Sequence, residues 1–319
     1  MRLNLALLLA LCVAFFLSLL AGHHWISPAD WLSGDMRTLV ITELRLPRVI
    51  VGILVGGALG LSGAAMQGYL RNPLADPGLF GISASAALGA VLSLFLGLAV
   101  AVWVLPALAL LGALAGAALL IMLAGRAGST IIFTLAGVLL SSVAASLTAL
   151  LINLAPTPFA TTEIVTWLMG ALTDRSWNDV ALGGPLILFG MMILLMSGRS
   201  LDALTLGDVA ARSMGVDMRR LQWLIVAGLG LCVGASVAIA GVIGFVGLVV
   251  PHLMRPLTTH RPSALLLPSA LAGALLVVVA DMIIRILPVM SEIRLGIAMS
   301  LLGGPFFLYL LLKMRRELS

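Results

Sequence analysis

Ten apolar runs, nine of them 18–25 residues long and one of 13, leave this chain few folds to adopt. A hydrocarbon core about 30 Å thick takes roughly 20 residues of helix to cross. Inside it every backbone N–H and C=O needs a partner within the protein, and a helix supplies those partners from its own segment. The runs are Leu3–Ala21, Val49–Tyr69, Leu79–Val100, Trp103–Ala124, Thr130–Leu154, Val180–Ser197, Gln222–Ala240, Val242–Met254, Ala264–Leu287 and Ile293–Leu312. Leu221–Met254 is one apolar stretch too long for a single crossing, and Gly241, Gly244 and Gly247 offer the break that divides it. The expected fold class is therefore an all-α polytopic membrane protein, a single transmembrane domain over residues 1–319 with about ten helices. Composition agrees, with 61% hydrophobic and 10% charged residues against roughly 25% charged in soluble domains. The first run could be a leader, since Arg2 precedes it, but it is long for one and "LLAGHHW" has no small-x-small cleavage site; an uncleaved first span is expected.

Orientation follows from the excess of Lys and Arg in cytoplasmic loops. With the amino terminus inside, that side receives Arg2, Arg71, Arg126, Arg199, Arg212, Arg219, Arg220, Arg255, Arg261, Lys313, Arg315 and Arg316. Arg37, Arg45, Arg48, Arg175, Arg285 and Arg294 face outward, among the acidic residues Asp30, Asp35, Glu43, Glu163, Asp174, Asp179 and Glu292. Both termini are thus expected in the cytoplasm. Every basic residue but Lys313 is an arginine, and Met314 follows that lysine. A phosphate-binding loop of the form G-x-x-x-x-G-K-[ST] needs its lysine before Ser or Thr, so no ATP site of that type is expected here.

Two connections are long enough to carry a task. Outside, residues 155–179 hold "PTPFATTEIVTWLMGALTDRSW", in which Thr162 is expected to cap a short helix over Glu163–Leu172 lying along the membrane surface. Inside, "GRSLDALTLGDVAARSMGVDMRRLQ" spans residues 198–222. Asp202–Gly207 and Asp208–Gly215 each read as an Asp cap, a short helix and a Gly stop, and Asp217 caps the next span. Such punctuation suits a docking element more than a solvated connector.

Few residues carry chemistry. Gly52, Gly56 and Gly60 line one face of the second span, the pattern of close helix packing. Gln67, at its inner end, either lines a path or bonds a neighbouring helix. "RNPLADPG" (residues 71–78) contains Pro73 and Pro77, which forbid continuous helix; it is either a constriction at the inner mouth or a tight turn. Asp281 and Arg285 stand at i and i+4 on the ninth span and face the same way, as a functional charge pair or as a structural one. His23 and His24 diverge on their helix and read as interfacial, and neither a catalytic triad nor a metal-ligand cluster stands out. A carrier driven by an ion gradient, the alternative transport reading, calls for a chain of buried Asp, Glu or His that the sequence lacks.

"GHHWISPADW", "RLPRVIVGILVGGALGLSGAAMQG", "RNPLADPGLFGIS", "LAGVLLSS", "LTLGDVAARSMGV", "GVIGFVGLVVPHLMR" and "LPSALAGALLVVVAD" together resemble the FecCD/BtuC family, the permeases of bacterial ABC importers for iron chelates (siderophores), haem and vitamin B12. The likeness runs in order over nearly the whole chain, and "HWISPADW" leans towards the cobalamin branch. It implies a multi-pass subunit of the inner membrane that pairs with itself or a paralogue, works with two cytoplasmic ATPase subunits that bind the ATP, and receives cargo from a periplasmic binding protein. The permease would itself be no enzyme and would hold neither cofactor nor metal. The resemblance assigns binding-protein docking to Arg45, Arg48 and Arg285. It assigns the cytoplasmic gate to Asn72 and Leu74 together with Ser129 and Thr130. ATPase coupling falls to Leu204, Leu206, Gly207, Asp208, Ala210, Ala211, Arg212, Met214 and Gly215. For Arg48, nearest the apolar run, membrane anchoring is the competing reading.

Overall fold

The computed structural model describes residues 2–22, 25–28, 31, 36–99, 101–125, 130–287 and 293–318. Among these, every regular element is a helix. In chain order they are α1 (Arg2–Leu20), α2 (Met36–Leu70), α3 (Ile82–Phe95), α4 (Val104–Ala124), α5 (Thr130–Asn153), α6 (Pro158–Leu168), α7 (Trp177–Met196), α8 (Gly198–Leu204), α9 (Asp208–Ser213), α10 (Met218–Ala240), α11 (Val246–Met254), α12 (Pro262–Ile286) and α13 (Leu295–Leu318). Eight of them, α1, α2, α4, α5, α7, α10, α12 and α13, are long and apolar enough to cross a membrane, and α3 and α11 are shorter apolar helices. The ten apolar runs thus reappear as ten helices.

The centre of the bundle is α2, buried along most of its length between α12, α7, α10 and α11. Its glycine row explains how. A Cβ at Gly56 would overlap the backbone of Gly273, and one at Gly60 the carbonyl of Ser269, so α2 and α12 touch backbone to backbone. Lipid gives little hydrophobic reason for helices to associate, so van der Waals contact at small residues does the work. The same device joins α3 to α4, where Gly89 abuts Leu108 and Gly112 abuts Ser85. By contrast α1, α5 and α13 keep at least half of their described large apolar side chains exposed along the flanks.

Several ends differ from their sequence expectation. The second span begins 13 residues earlier than Val49, at Met36, and Val40–Arg45 within it forms a wider π turn; Arg37, Glu43, Arg45 and Arg48 are helical residues rather than loop. The outer short helix is α6, capped by the Thr157 hydroxyl, which accepts from the Ala160 N–H at 3.1 Å. Thr162 lies inside it, bonded back to the Pro158 carbonyl. On the inner side Asp202 is interior to α8 and Asp208 is the first residue of α9 after Gly207. Neither carboxylate caps its own helix, because each is taken by a tertiary partner described below. Asp217 does cap α10, accepting from the Arg219 and Arg220 N–H groups.

Candidate functional site

Chain direction sorts the helix ends into two clusters. At the outer face the C-termini of α1 and α12 meet the N-terminal part of α2, bringing Arg45, Arg48 and Arg285 into the wall of one cavity of about 790 Å³. Arg37, Arg175 and Asp174 share that wall. Arg45 donates to the Leu19 and Leu20 carbonyls at 2.7 and 2.8 Å, closing orphan acceptors at the end of α1. A cation at a helix C-terminus also meets the negative end of its dipole.

Arg48 and Arg285 are held more tightly. The Arg48 guanidinium grips Asp281 in a bidentate pair, with Nη2 to Oδ1 at 2.8 Å and Nε to Oδ2 at 3.1 Å. Arg285 reaches the same carboxylate one helical turn along, Nε to Oδ2 at 3.1 Å, and donates to the Ser18 hydroxyl and the Ala21 carbonyl. Asp281 and Arg285 are 3% and 5% exposed, so this Arg–Asp–Arg triad is a buried lock between α1, α2 and α12. The i, i+4 pairing expected on the ninth span is present; Arg48 as the second partner is the addition.

At the inner face, residues 71–81 fold into a compact turn. Arg71 ends α2 in the left-handed conformation, φ 51°. Asn72 Oδ1 accepts the Leu74 N–H at 2.9 Å and the Asn72 carbonyl accepts the Ala75 N–H at 3.1 Å. Pro77–Phe80 follows as a single 3₁₀ turn capped by Asp76, whose carboxylate takes the Gly78 N–H at 2.7 Å. Part of Asp76 remains accessible, yet the protein around it pushes its carboxyl up to about 6, with the Gly78 hydrogen bond opposing the shift. The turn leans on α11: a Cβ at Gly247 would come within 2.6 Å of the Pro77 ring, and one at Gly63 of α2 would overlap the Gly247 carbonyl oxygen. A cavity of about 200 Å³ lies beside these residues, lined among others by Asp76, Pro77, Ser83, Ser236 and Phe245.

Gln67 resolves to the neighbour-bonding role, accepting from Arg255 at 2.7 Å and facing the Gly247 carbonyl. Of the other expected gate residues, Ser129 and the side chain of Thr130 lie outside the described residues. The coupling residues run from Leu204, the last residue of α8, through the 205–207 turn and α9 to Gly215. Leu206, Val209 and Met214 are 67%, 81% and 63% exposed, while Leu204 and Ala211 anchor the segment in the core. Asp202 binds the N-terminus of α12, accepting from the Ser263 N–H at 2.8 Å and its hydroxyl at 2.5 Å. Phe245 is the residue that sequence reasoning missed at the α10–α11 break. It takes a left-handed φ of 66°, and its ring fills the space that Gly303 of α13 leaves open. Glycines bracket it, so local pattern pointed to them instead.

The chain matches the FecCD transport family over residues 9–313. This chain belongs to the FecCD transport family. This FecCD protein is 40% identical over 319 residues to the vitamin B12 import system permease proteins BtuC of Salmonella typhimurium (strain LT2) and Salmonella typhi, with 98% of this chain and 95% of each relative covered. Its fold superposes with a TM-score of 0.89 and 32% identity on a solved structure described as a metal-chelate type ABC transporter in an inward-facing conformation, covering 98% of this chain and 99% of the other. The FecCD protein is accordingly a multi-pass membrane transport permease with a BtuC-like helical fold.

Proposed function

We propose that this permease is the membrane subunit of a binding-protein-dependent ABC importer in the bacterial inner membrane. It moves a bulky chelate inward, cobalamin, haem or an iron siderophore, and two separate ATPase subunits bind the ATP. The observation that carries this reading is the apolar tip of the α8–α9 segment on the inner side. A cluster of exposed Leu206, Val209 and Met214 is the mark of a protein partner. Kinship with permeases named for vitamin B12 import and for metal chelates supports the cargo class.

At the outer face, Arg45 is the docking residue for carboxylates of a periplasmic binding protein, with Arg48 and Arg285 adding positive potential from behind. The triad bears two guanidinium groups and one carboxylate. Inside, Asn72 and Leu74 form the gate, joined there by Ser129 and Thr130. A second copy or a paralogue completes the pathway, for which the exposed face of α5, carrying Ser142 and Ser146, supplies a wall that water can wet.

The docking role has a direct test. Arg45→Glu is expected to weaken binding-protein association about tenfold at low salt, equivalent to about 1.4 kcal/mol, and to flatten its salt dependence. Arg45→Gln, which keeps a donor for the end of α1, separates loss of charge from loss of the cap. Association of the Glu variant equal to the unsubstituted protein at low ionic strength would refute the assignment.

A further inference from the structure

The inner gate turn and the coupling segment are joined by an ion pair that neither assignment requires. Arg71 Nη2 lies 2.8 Å from Asp208 Oδ1. Arg71 is where α2 stops and the turn begins, and Asp208 is where α9 begins. From these positions we propose that Arg71 is a positioning residue, which passes displacement of α9 directly to the gate turn. The proposal rests on the reading that α8–α9 is the ATPase dock.

Three features make the pair a strut rather than a brace for the fold. First, both side chains are more than a third exposed, 39% and 36%, and an ion pair so placed adds little to stability. Second, the two short helices are held differently. α8 is pinned to α12 through Asp202 and Ser263, whereas α9 buries only Ala211 of its own residues and lends its first residue to Arg71. A push on the dock therefore finds α9 the more yielding of the two. Third, the turn that Arg71 enters is internally tied, Asn72 to both Leu74 and Ala75, so a pull at its first residue carries Asn72 and Leu74 with it. Arg71 also holds a left-handed φ, a conformation that costs a non-glycine residue and persists where the surroundings impose it. Moving the Arg71 side chain bears on the strained junction itself.

The experiment is charge exchange in proteoliposomes holding the permease, its ATPase and its binding protein. Arg71→Glu is expected to keep ATPase association and thermal stability while raising the ATP consumed per cargo molecule severalfold, and Asp208→Arg is expected to raise the same ratio. The double exchange is expected to return that ratio towards the original value. Single variants with an unchanged ratio, a double variant no better than the singles, or loss of ATPase association in Arg71→Glu would each overturn the proposal. Leu206→Asp combined with Val209→Asp tests the underlying dock separately: it is expected to abolish ATPase association, and retained association would remove the reading on which the strut depends.

Discussion

Asp281→Ala is expected to lower stability by about 3–5 kcal/mol, the usual cost of removing one partner from a buried ion pair. The reasons lie in the triad. The Arg48 and Arg285 side chains are 11% and 6% exposed, and without the carboxylate two guanidinium groups would lose the counter-charge they share. Thermal unfolding in detergent reads the loss. Asp281→Asn keeps an acceptor for one arginine and should fall between Ala and the original, because it removes the charge but not all of the hydrogen bonding. Replacing all three, Arg48→Met with Asp281→Leu and Arg285→Met, should recover much of the stability, since apolar groups of similar volume avoid the desolvation that ion pairs incur. An Asp281→Ala protein that melts with the original would mean that the triad is wet and dispensable.

Gly63→Leu is expected to cost about 3 kcal/mol, the upper part of the overpacking range, because the first added carbon already overlaps the Gly247 carbonyl oxygen. Flexible side chains can yield to a new methyl group, but here the obstacle is backbone in a second helix. To relieve it α11 must move off α2, and Pro77 of the gate turn, packed against Gly247, moves with it. The variant should therefore lose ATP-driven uptake as well as stability. Gly244→Ala is the control: among the described residues nothing lies within 4 Å of its added Cβ, and a change within about 0.5 kcal/mol is expected, as at unconstrained positions. Equal melting of both variants would contradict the close packing of α2, α11 and the turn.

Much of the fold was legible because hydropathy measures the property that a membrane selects. Ten apolar runs became ten helices, and loop arginines gave the directions that gather Arg45, Arg48 and Arg285 at one face. What hydropathy could not mark was helix continued through polar residues. Met36–Val49 contains Arg37, Glu43 and Arg45, yet it is helical, and Arg45 reaches out of the run to the end of α1.

The site was legible only where its parts are neighbours in sequence. Asp281 and Arg285 are one turn apart, so their pairing follows from helix geometry. Arg48 joins the same carboxylate from 233 positions away, which no local pattern contains. The caps expected at Asp202 and Asp208 failed for the same reason, since Ser263 and Arg71 compete for those oxygens from distant segments. Asp217 is taken by the Arg219 and Arg220 N–H groups of its own helix and caps as expected.

The central claim, that this FecCD permease is driven by ATP through partner subunits, is tested most directly by reconstituting it with its ATPase and binding protein and measuring uptake of cobalamin, haem and ferric siderophore in parallel. The account predicts uptake of one of these chelates that requires all three components and ATP. Uptake that continues without the ATPase, driven by an ion gradient alone, would contradict it.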